Sequence, residues 1–165
     1  MKTRFLGAAL AATFLFSGTA AYAQNQPSAE FEKSFALMRQ NLRSSKKQIL
    51  AANLTLSDAE ATKFWPVYDA YAAEMTTQYD QFYAVIKDYA VNQATLTDDQ
   101  AIAMIKRWAD IQVAITGIRQ KYVPLVAKVI AGRKAALFFQ VDRRLYAVVD
   151  LQVASELPLV NPTKQ

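Results

Sequence analysis

Glycine is almost absent after Ala23, and this scarcity constrains the fold more than any other feature. Between Gln24 and Gln165 the chain contains only Gly117 and Gly132, and its prolines are sparse. Glycine and proline are the residues that most often interrupt regular structure. With 53% hydrophobic residues in a chain of 165, one substantial core can be buried. We therefore predict a single all-α domain over residues 24–165.

The segment from Met1 to Ala23 has the three parts of a secretory signal peptide. Lys2 and Arg4 give a positive start, residues 5–16 are mostly apolar, and Ala21-Tyr22-Ala23 is a small-x-small cleavage site. The apolar run is about a dozen residues long, whereas a membrane span needs roughly 20. We predict that the leader is cleaved, that no membrane span follows, and that the mature chain is periplasmic. The same signal would also serve full secretion.

Apolar residues recur at intervals of three and four along the mature chain, which is the spacing of amphipathic helices. This pattern predicts four helices: 28–52, 57 to about 91, 97 to a break at Gly132, and from there to about 153. Pro66 and Pro124 predict kinks in the second and third helices, which should form a long antiparallel hairpin. The predicted core stripes are Phe31, Phe35, Met38, Leu42 and Ile49; Phe64, Tyr68, Tyr71, Met75, Tyr79, Phe82, Ile86 and Tyr89; Ala101, Met104, Trp108, Ile111, Ile115, Ile118, Tyr122, Leu125 and Val129; and Leu137, Val141, Leu145 and Val148.

Two short segments mark helix starts. In Ser57-Asp58-Ala59-Glu60 and Thr97-Asp98-Asp99-Gln100, a hydroxyl can accept from the amide of the fourth residue, whose side chain returns to the amide of the first. We therefore assign Ser57, Glu60, Thr97 and Gln100 to helix-capping motifs. Two good helix starts explain the similarity of the segments, since a repeat architecture needs about three units.

Histidine and cysteine are both absent from the chain. This excludes a histidine base, a thiol nucleophile, thiolate metal sites and disulfides. The mature chain also lacks a glycine-rich phosphate loop and an Asp-rich calcium loop. We expect no catalytic residue, no cofactor and no metal site. A carboxylate-dependent hydrolase is the remote alternative, and it would need two acids facing each other across a cleft.

The mature chain carries a small positive charge. Lys2 and Arg4 leave with the leader, which reduces 19 basic residues to 17 against 14 acidic ones and gives a net charge of +3. Ordinary solubility explains such a surplus, and attraction to acidic partners or membrane surfaces is the alternative. Nucleic acid is not an expected partner of an exported protein.

One flank of the second helix carries aromatic residues outside the core stripe. Trp65 and Tyr83 share this flank, with the small residue Ala72 between them. The flank is either an apolar strip that is exposed or buried in a dimer, or a surface that packs on another helix of the same chain.

Basic residues cluster on the first helix. Arg39, Arg43, Lys46 and Lys47 form either a solvated face or a basic rim beside an apolar groove. The candidate residues for contact with polypeptides are Arg39, Arg43, Lys47, Trp65 and Tyr83.

The capping segments also carry a family resemblance. Leu96-Thr97-Asp98-Asp99-Gln100 fits the Leu-Thr-x-x-Gln motif of the Spy/CpxP family at its three fixed positions, and Leu56-Ser57-Asp58-Ala59-Glu60 is a conservative variant. The chain resembles that family, or an exported branch near it, over most of residues 45–160. The resemblance extends to Phe64-Trp65-Pro66-Val67-Tyr68, Lys134-Ala135-Ala136-Leu137-Phe138-Phe139-Gln140 and Leu157-Pro158-Leu159-Val160.

The resemblance implies a periplasmic helical hairpin, often a homodimer, that holds unfolded polypeptides without ATP during envelope stress. Residues 130–134 depart from the second motif that usually precedes the last helix of the family, and the histidines of metal-sensing relatives are absent. We expect a chaperone-like, non-enzymatic polypeptide-binding protein. The alternative is a signalling adaptor that binds one envelope sensor.

Overall fold

Four α-helices joined by short turns make up the described part of the chain. The computed structural model describes residues 29–161, excluding the side chains of residues 29–32, 34, 35, 38, 39, 41–43 and 156. Within that range there is no strand, so the prediction of an all-α fold with four helices is confirmed. The predicted signal peptide lies outside the described residues. The helices are α1 (Ala29–Leu54), α2 (Asp58–Asn92), α3 (Asp98–Ala127) and α4 (Gly132–Glu156).

The helix boundaries fall within about three residues of the predicted ones, except that α3 ends at Ala127, ahead of the predicted break at Gly132. Gly132 begins α4 after a turn, as predicted, and Leu157 is extended at the end of α4, where Pro158 disfavours helix. The helices α2 and α3 continue through Pro66 and Pro124. None of the helices in the described range is long and apolar enough to cross a membrane.

Two ion pairs fix the antiparallel register of the hairpin formed by α2 and α3. Glu74 pairs with Lys121 at 2.6 Å, and Asp88 pairs with Arg107 at 2.8 Å. The later acid of α2 thus pairs with the earlier base of α3, as opposite chain directions require. Glu74 also accepts a hydrogen bond from the Tyr122 hydroxyl at 2.7 Å. The ammonium group of Lys121, followed by that hydroxyl, lowers the pKa of Glu74.

The core of the hairpin follows the predicted stripe of α2 closely. From Phe64 to Phe82 every residue of that stripe is buried, and Ile86 and Tyr89 are partly buried. The predicted stripe of α3 was wrong at Trp108 and Leu125, which are 43% and 37% exposed. At 100° per residue Leu125 lies about 70° from the centre of the buried face, whereas Trp108 lies in line with the fully buried Val126, five turns earlier on α3. The buried residues of α3 are Met104, Ile111, Ile115, Tyr122 and Val126.

The buried face of α4 lies one position away from the predicted stripe. Val148 is 68% exposed, and Leu137, Val141 and Leu145 are only partly buried. The fully covered positions include a charged residue, Asp142, so the apolar pattern indicated the neighbouring face. The buried residues of α4 are Ala135, Phe138, Asp142, Tyr146, Val149 and Val153.

The buried face of α1 also lies one position away from the predicted stripe, because it includes a charged residue. Lys46, Leu50 and Leu54 are buried, whereas the predicted core residue Ile49 is 36% exposed. The other members of that predicted stripe lie outside the described side chains; they are Phe31, Phe35, Met38 and Leu42.

The helix α4 connects α1 to the hairpin, since it packs directly against both α1 and α3. Aromatic contacts join it to α2 as well. Tyr146 stacks on Tyr79 with ring centroids 4.0 Å apart, and Phe138 meets Phe64 edge to face at 5.4 Å. Such pairs add to the stability that apolar burial provides.

Candidate interaction site

Both predicted capping boxes form, and their role is structural. The Glu60 amide donates to Ser57 Oγ at 3.3 Å, and the Ser57 amide donates to Glu60 Oε2 at 2.9 Å. Thr97 and Gln100 exchange the equivalent bonds at 3.3 and 3.0 Å. The boxes begin α2 and α3 at opposite ends of the hairpin, so they do not form a common site.

The first box is tied to α4 by a lysine. Lys134 Nζ donates to Glu60 Oε2 at 2.6 Å and to the backbone oxygen of Thr55 at 3.1 Å. The bond from Lys134, with that from the Ser57 amide, lowers the pKa of Glu60 to about 2. Thr55 has a φ of 44°, a left-handed conformation that is unfavourable for a β-branched residue. The turn between α1 and α2 is therefore strained and held by Lys134.

The structure brings together two of the five predicted contact residues. Lys47 Nζ lies 5.1 Å from the centroid of the Trp65 ring and 2.8 Å from an oxygen of Asp69. Lys47 is half exposed and Trp65 is partly buried against the core. These two side chains form a cation–π contact between α1 and α2.

Tyr83, a third predicted contact residue, does not join this pair. Tyr83 is only 6% exposed and packs against Phe82 and Tyr79. The interpretation of Tyr83 as an exposed contact residue was therefore wrong, and Tyr83 packs within the chain instead. It lies several turns of α2 away from Trp65, which is about 27 Å along the axis. The side chains of Arg39 and Arg43 lie outside the described part of the chain.

A buried carboxylate lies where α1, α2, α3 and α4 come together. Asp142 is fully buried, and its Oδ1 lies 2.6 Å from Nζ of Lys46, which is itself 5% exposed. The alignment is not that of a hydrogen bond, so the contact is an ion pair. The Tyr71 hydroxyl donates to Asp142 Oδ2 at 2.6 Å. Burial, followed by the charge of Asp142, raises the pKa of Tyr71, which keeps its hydroxyl a donor.

Arg119 of α3 is a second cation beside this carboxylate. Its Nε lies 3.9 Å from Asp142 Oδ2, and among the described residues this Nε has no hydrogen-bond acceptor. Its guanidinium carbon lies 5.9 Å from the centroid of the Tyr146 ring. Asp142 therefore has one cation, Lys46, in contact and another, Arg119, close by. Arg119 also acts on Asp150: burial raises the pKa of Asp150, and the charge of Arg119 opposes that rise.

Asp142 and the partly buried Asp150 are farther apart along α4 than the carboxylate pairs of glycosidases. Asp142 and Asp150 are eight residues apart on α4, about 12 Å along the axis. Carboxylate pairs that cleave glycosides are roughly 5–9.5 Å apart across a cleft. Among the residues that the structure describes, no group of three acidic, histidine or cysteine side chains could hold a metal ion.

A second stripe, mostly apolar but with the polar residues Thr116 and Gln120, runs along the side of α3 that faces solvent. We call its members the outer stripe; they are Ile102, Ile105, Ala109, Val113, Thr116, Gln120 and Val123. All of them are exposed and none is charged, and Val113 is 72% exposed. The stripe is about 31 Å long at 1.5 Å per residue. The spacing of three and four residues between its members is visible in the sequence. The prediction of a single apolar stripe on α3 did not include it.

One cavity lies at the end of the hairpin, with a volume of about 320 Å³. Its charged groups pair with each other, since Asp88 accepts from Arg107 at 2.8 Å and from Asn92 at 2.9 Å. The side-chain oxygen of Gln100 accepts from the Thr97 amide. These polar groups are engaged within the chain, so the outer stripe is the stronger candidate for contact with a partner.

Comparison with known proteins adds no relative. No protein-family model matches the chain, and neither a curated protein nor a solved structure matches it.

Proposed function

We propose that this chain is a non-enzymatic, exported polypeptide-binding protein with a chaperone-like role. The observation that carries the proposal is the outer stripe of α3, an uncharged and mostly apolar surface along a helix whose opposite face is already buried against α2. Exposed apolar patches that are contiguous mark interaction sites more often than scattered single residues do.

The composition of the outer stripe favours weak binding of many polypeptides. Its largest exposed members are aliphatic, with Ile102 71% and Ile105 61% exposed, and Trp108 borders it. The stripe has no charge that would select a partner of opposite charge, so contact depends on apolar area. The resemblance of the capping segments to the Spy/CpxP family supports the same role and a periplasmic location.

The test is suppression of aggregation by the mature chain from Gln24, with an unrelated unfolded protein at near-equal molar ratio and without nucleotide. The variant Ile105→Ser/Val113→Ser should abolish suppression because it removes apolar area from the outer stripe. The matched control is Val148→Ser/Leu151→Ser, which removes equally exposed apolar residues from α4, where Val148 is 68% and Leu151 72% exposed.

Any of three results would overturn the proposal. The first is that the wild type fails to suppress aggregation, and the second is that the two double variants suppress it equally. The third is that the outer stripe joins two copies of the chain. In the last case light scattering shows a homodimer that the outer-stripe variant converts to a monomer. Absence of suppression together with one tightly bound envelope protein would favour the signalling adaptor.

A further inference from the structure

The last part of α1 lies across the seam between α2 and α4. Lys46 Nζ is 4.0 Å from the ring centroid of Tyr146 on α4 and 5.6 Å from that of Tyr71 on α2. The neighbouring Lys47 lies over Trp65 of α2. Beneath these lysines the aromatic rings of the two helices contact each other, as Tyr71 and Phe138 do at 5.5 Å. The seam is an aromatic groove, and α1 occupies it.

We propose that this groove is a binding site for a helical segment of another polypeptide, and that α1 is a displaceable cover that occupies it within the chain. The described side chains that α1 buries there are Lys46, Leu50 and Leu54. They are spaced four residues apart, so they form one face of the helix. The partner segment should therefore carry a lysine or arginine followed by apolar residues four and eight positions later.

Asp142 gives the groove its preference for a cation, and Arg119 makes the cover displaceable. Removal of one member of a buried ion pair normally leaves an uncompensated charge, which strongly opposes the separation. Here Asp142 would keep the hydrogen bond from Tyr71 and the charge of Arg119, whose Nε is 3.9 Å away. Lys46 can leave the groove without isolating the carboxylate.

The turn at the end of α1 favours movement of α1 alone. Thr55 holds a left-handed φ of 44°, and Lys134 of α4 holds Thr55 and Glu60 together. Strain of this kind persists only when surrounding contacts impose it, and it is common at switch regions. The contacts of Lys134 tie the strained turn and the start of α2 to α4, so the turn would be the hinge about which α1 moves while α2 stays in place.

The groove and the outer stripe would both bind polypeptides, which is the only property that the two proposed sites share. The outer stripe of α3 would hold unfolded chains through apolar area, whereas the groove would bind a helix with a defined pattern of residues. The groove does not include any residue of the outer stripe.

The test uses a fluorescent peptide of residues 29–54, which is α1 itself, titrated into the full mature chain. The Lys46→Gln chain should bind this peptide at least tenfold more tightly than the wild type, because its own α1 competes less well. A Lys46→Gln peptide should bind the same chain at least tenfold more weakly than the native peptide. The matched control is the Lys106→Gln chain, since Lys106 pairs with Asp110 on the exposed surface. It should bind as the wild type does.

A second measurement keeps the inference falsifiable if Lys46→Gln prevents folding. The chain has no cysteine, so Gln48→Cys on α1 and Gln140→Cys on α4 place two spin labels at exposed positions with the ion pair intact. The distance between the labels should increase as the peptide is added. The inference would be overturned if the distance between the labels stays unchanged up to about 1 mM peptide, the weak end of ordinary affinities. It would also be overturned if all the chains bind the peptide equally. Suppression of aggregation would then still stand on its own.

Discussion

The α2–α3 hairpin and the α1–α4 pair are held together by different kinds of contact. In the hairpin the buried positions are apolar or aromatic, and the ion pairs that join its helices lie at the surface. Between α1 and α4 the ion pair of Lys46 and Asp142 is itself buried. Apolar burial tolerates small shifts, because it is non-directional. A buried charge requires its partner, so the α1–α4 contact adds this requirement to the apolar burial of Leu50 and Leu54.

The difference indicates which region is built for stability and which for change. Replacing a buried ion pair with apolar residues is often neutral or stabilising, so such a pair is weak evidence for a stabilising role. The hairpin is the frame of the molecule, and α1 is the element that the structure holds by a buried charged contact.

The largest effect should follow from Asp142→Ala. This change leaves Lys46 buried without a counter-charge, and we expect a loss of about 3–5 kcal/mol in the free energy of unfolding. Urea unfolding of the two chains measures it. The matched control is Asp110→Ala, which removes an exposed partner of Lys106 and should cost less than about 0.5 kcal/mol. Equal losses in the two variants would contradict a special role for the buried carboxylate.

A slightly smaller effect should come from the apolar frame. Ile115→Ala removes a fully buried side chain from α3, and we expect a loss of about 3 kcal/mol. Val113→Ala, two residues earlier on the outer stripe, should change the free energy of unfolding by less than about 0.5 kcal/mol. Thermal or urea unfolding separates the two variants. A larger loss for Val113→Ala would mean that the outer stripe is covered in solution.

The smallest effect concerns the turn between the two regions and depends on pH. Lys134 and the Ser57 amide lower the pKa of Glu60 from 4.5 to about 2, so the ionised carboxylate favours the folded state. Glu60→Gln should therefore be less stable than the wild type above pH 4.5. The difference should shrink as the pH falls toward 2, where Glu60 becomes protonated in both states. Unfolding curves of both chains at several pH values test this, and a difference independent of pH would rule out the charged contact as its cause.

The sequence was sufficient to predict most of the fold, because local signals marked it. The capping boxes predicted the starts of α2 and α3, and Gly132 predicted the start of α4. The apolar spacing of α2 matched its buried face because that face carries no charged residue.

The faces of α1 and α4 could not be predicted in the same way. Lys46 and Asp142 are far apart in the chain, and each is a charged residue at a core position. Either one alone indicates a solvated face, and only their contact in three dimensions explains their burial. The sequence also indicated Lys47, Trp65 and Tyr83 as parts of one contact surface, whereas Tyr83 is buried elsewhere on α2.

The central claim, that α1 separates from a stable hairpin, is tested most directly by native-state hydrogen exchange of the mature chain. We predict that the amides of residues 44–54 exchange through an opening of lower free energy than those of residues 68–82 and 111–122. Lys46→Gln should lower the protection of the first group further and keep it below that of the other two. If all three groups exchange with the same free energy in both chains, α1 unfolds only with the whole domain, and the claim is contradicted.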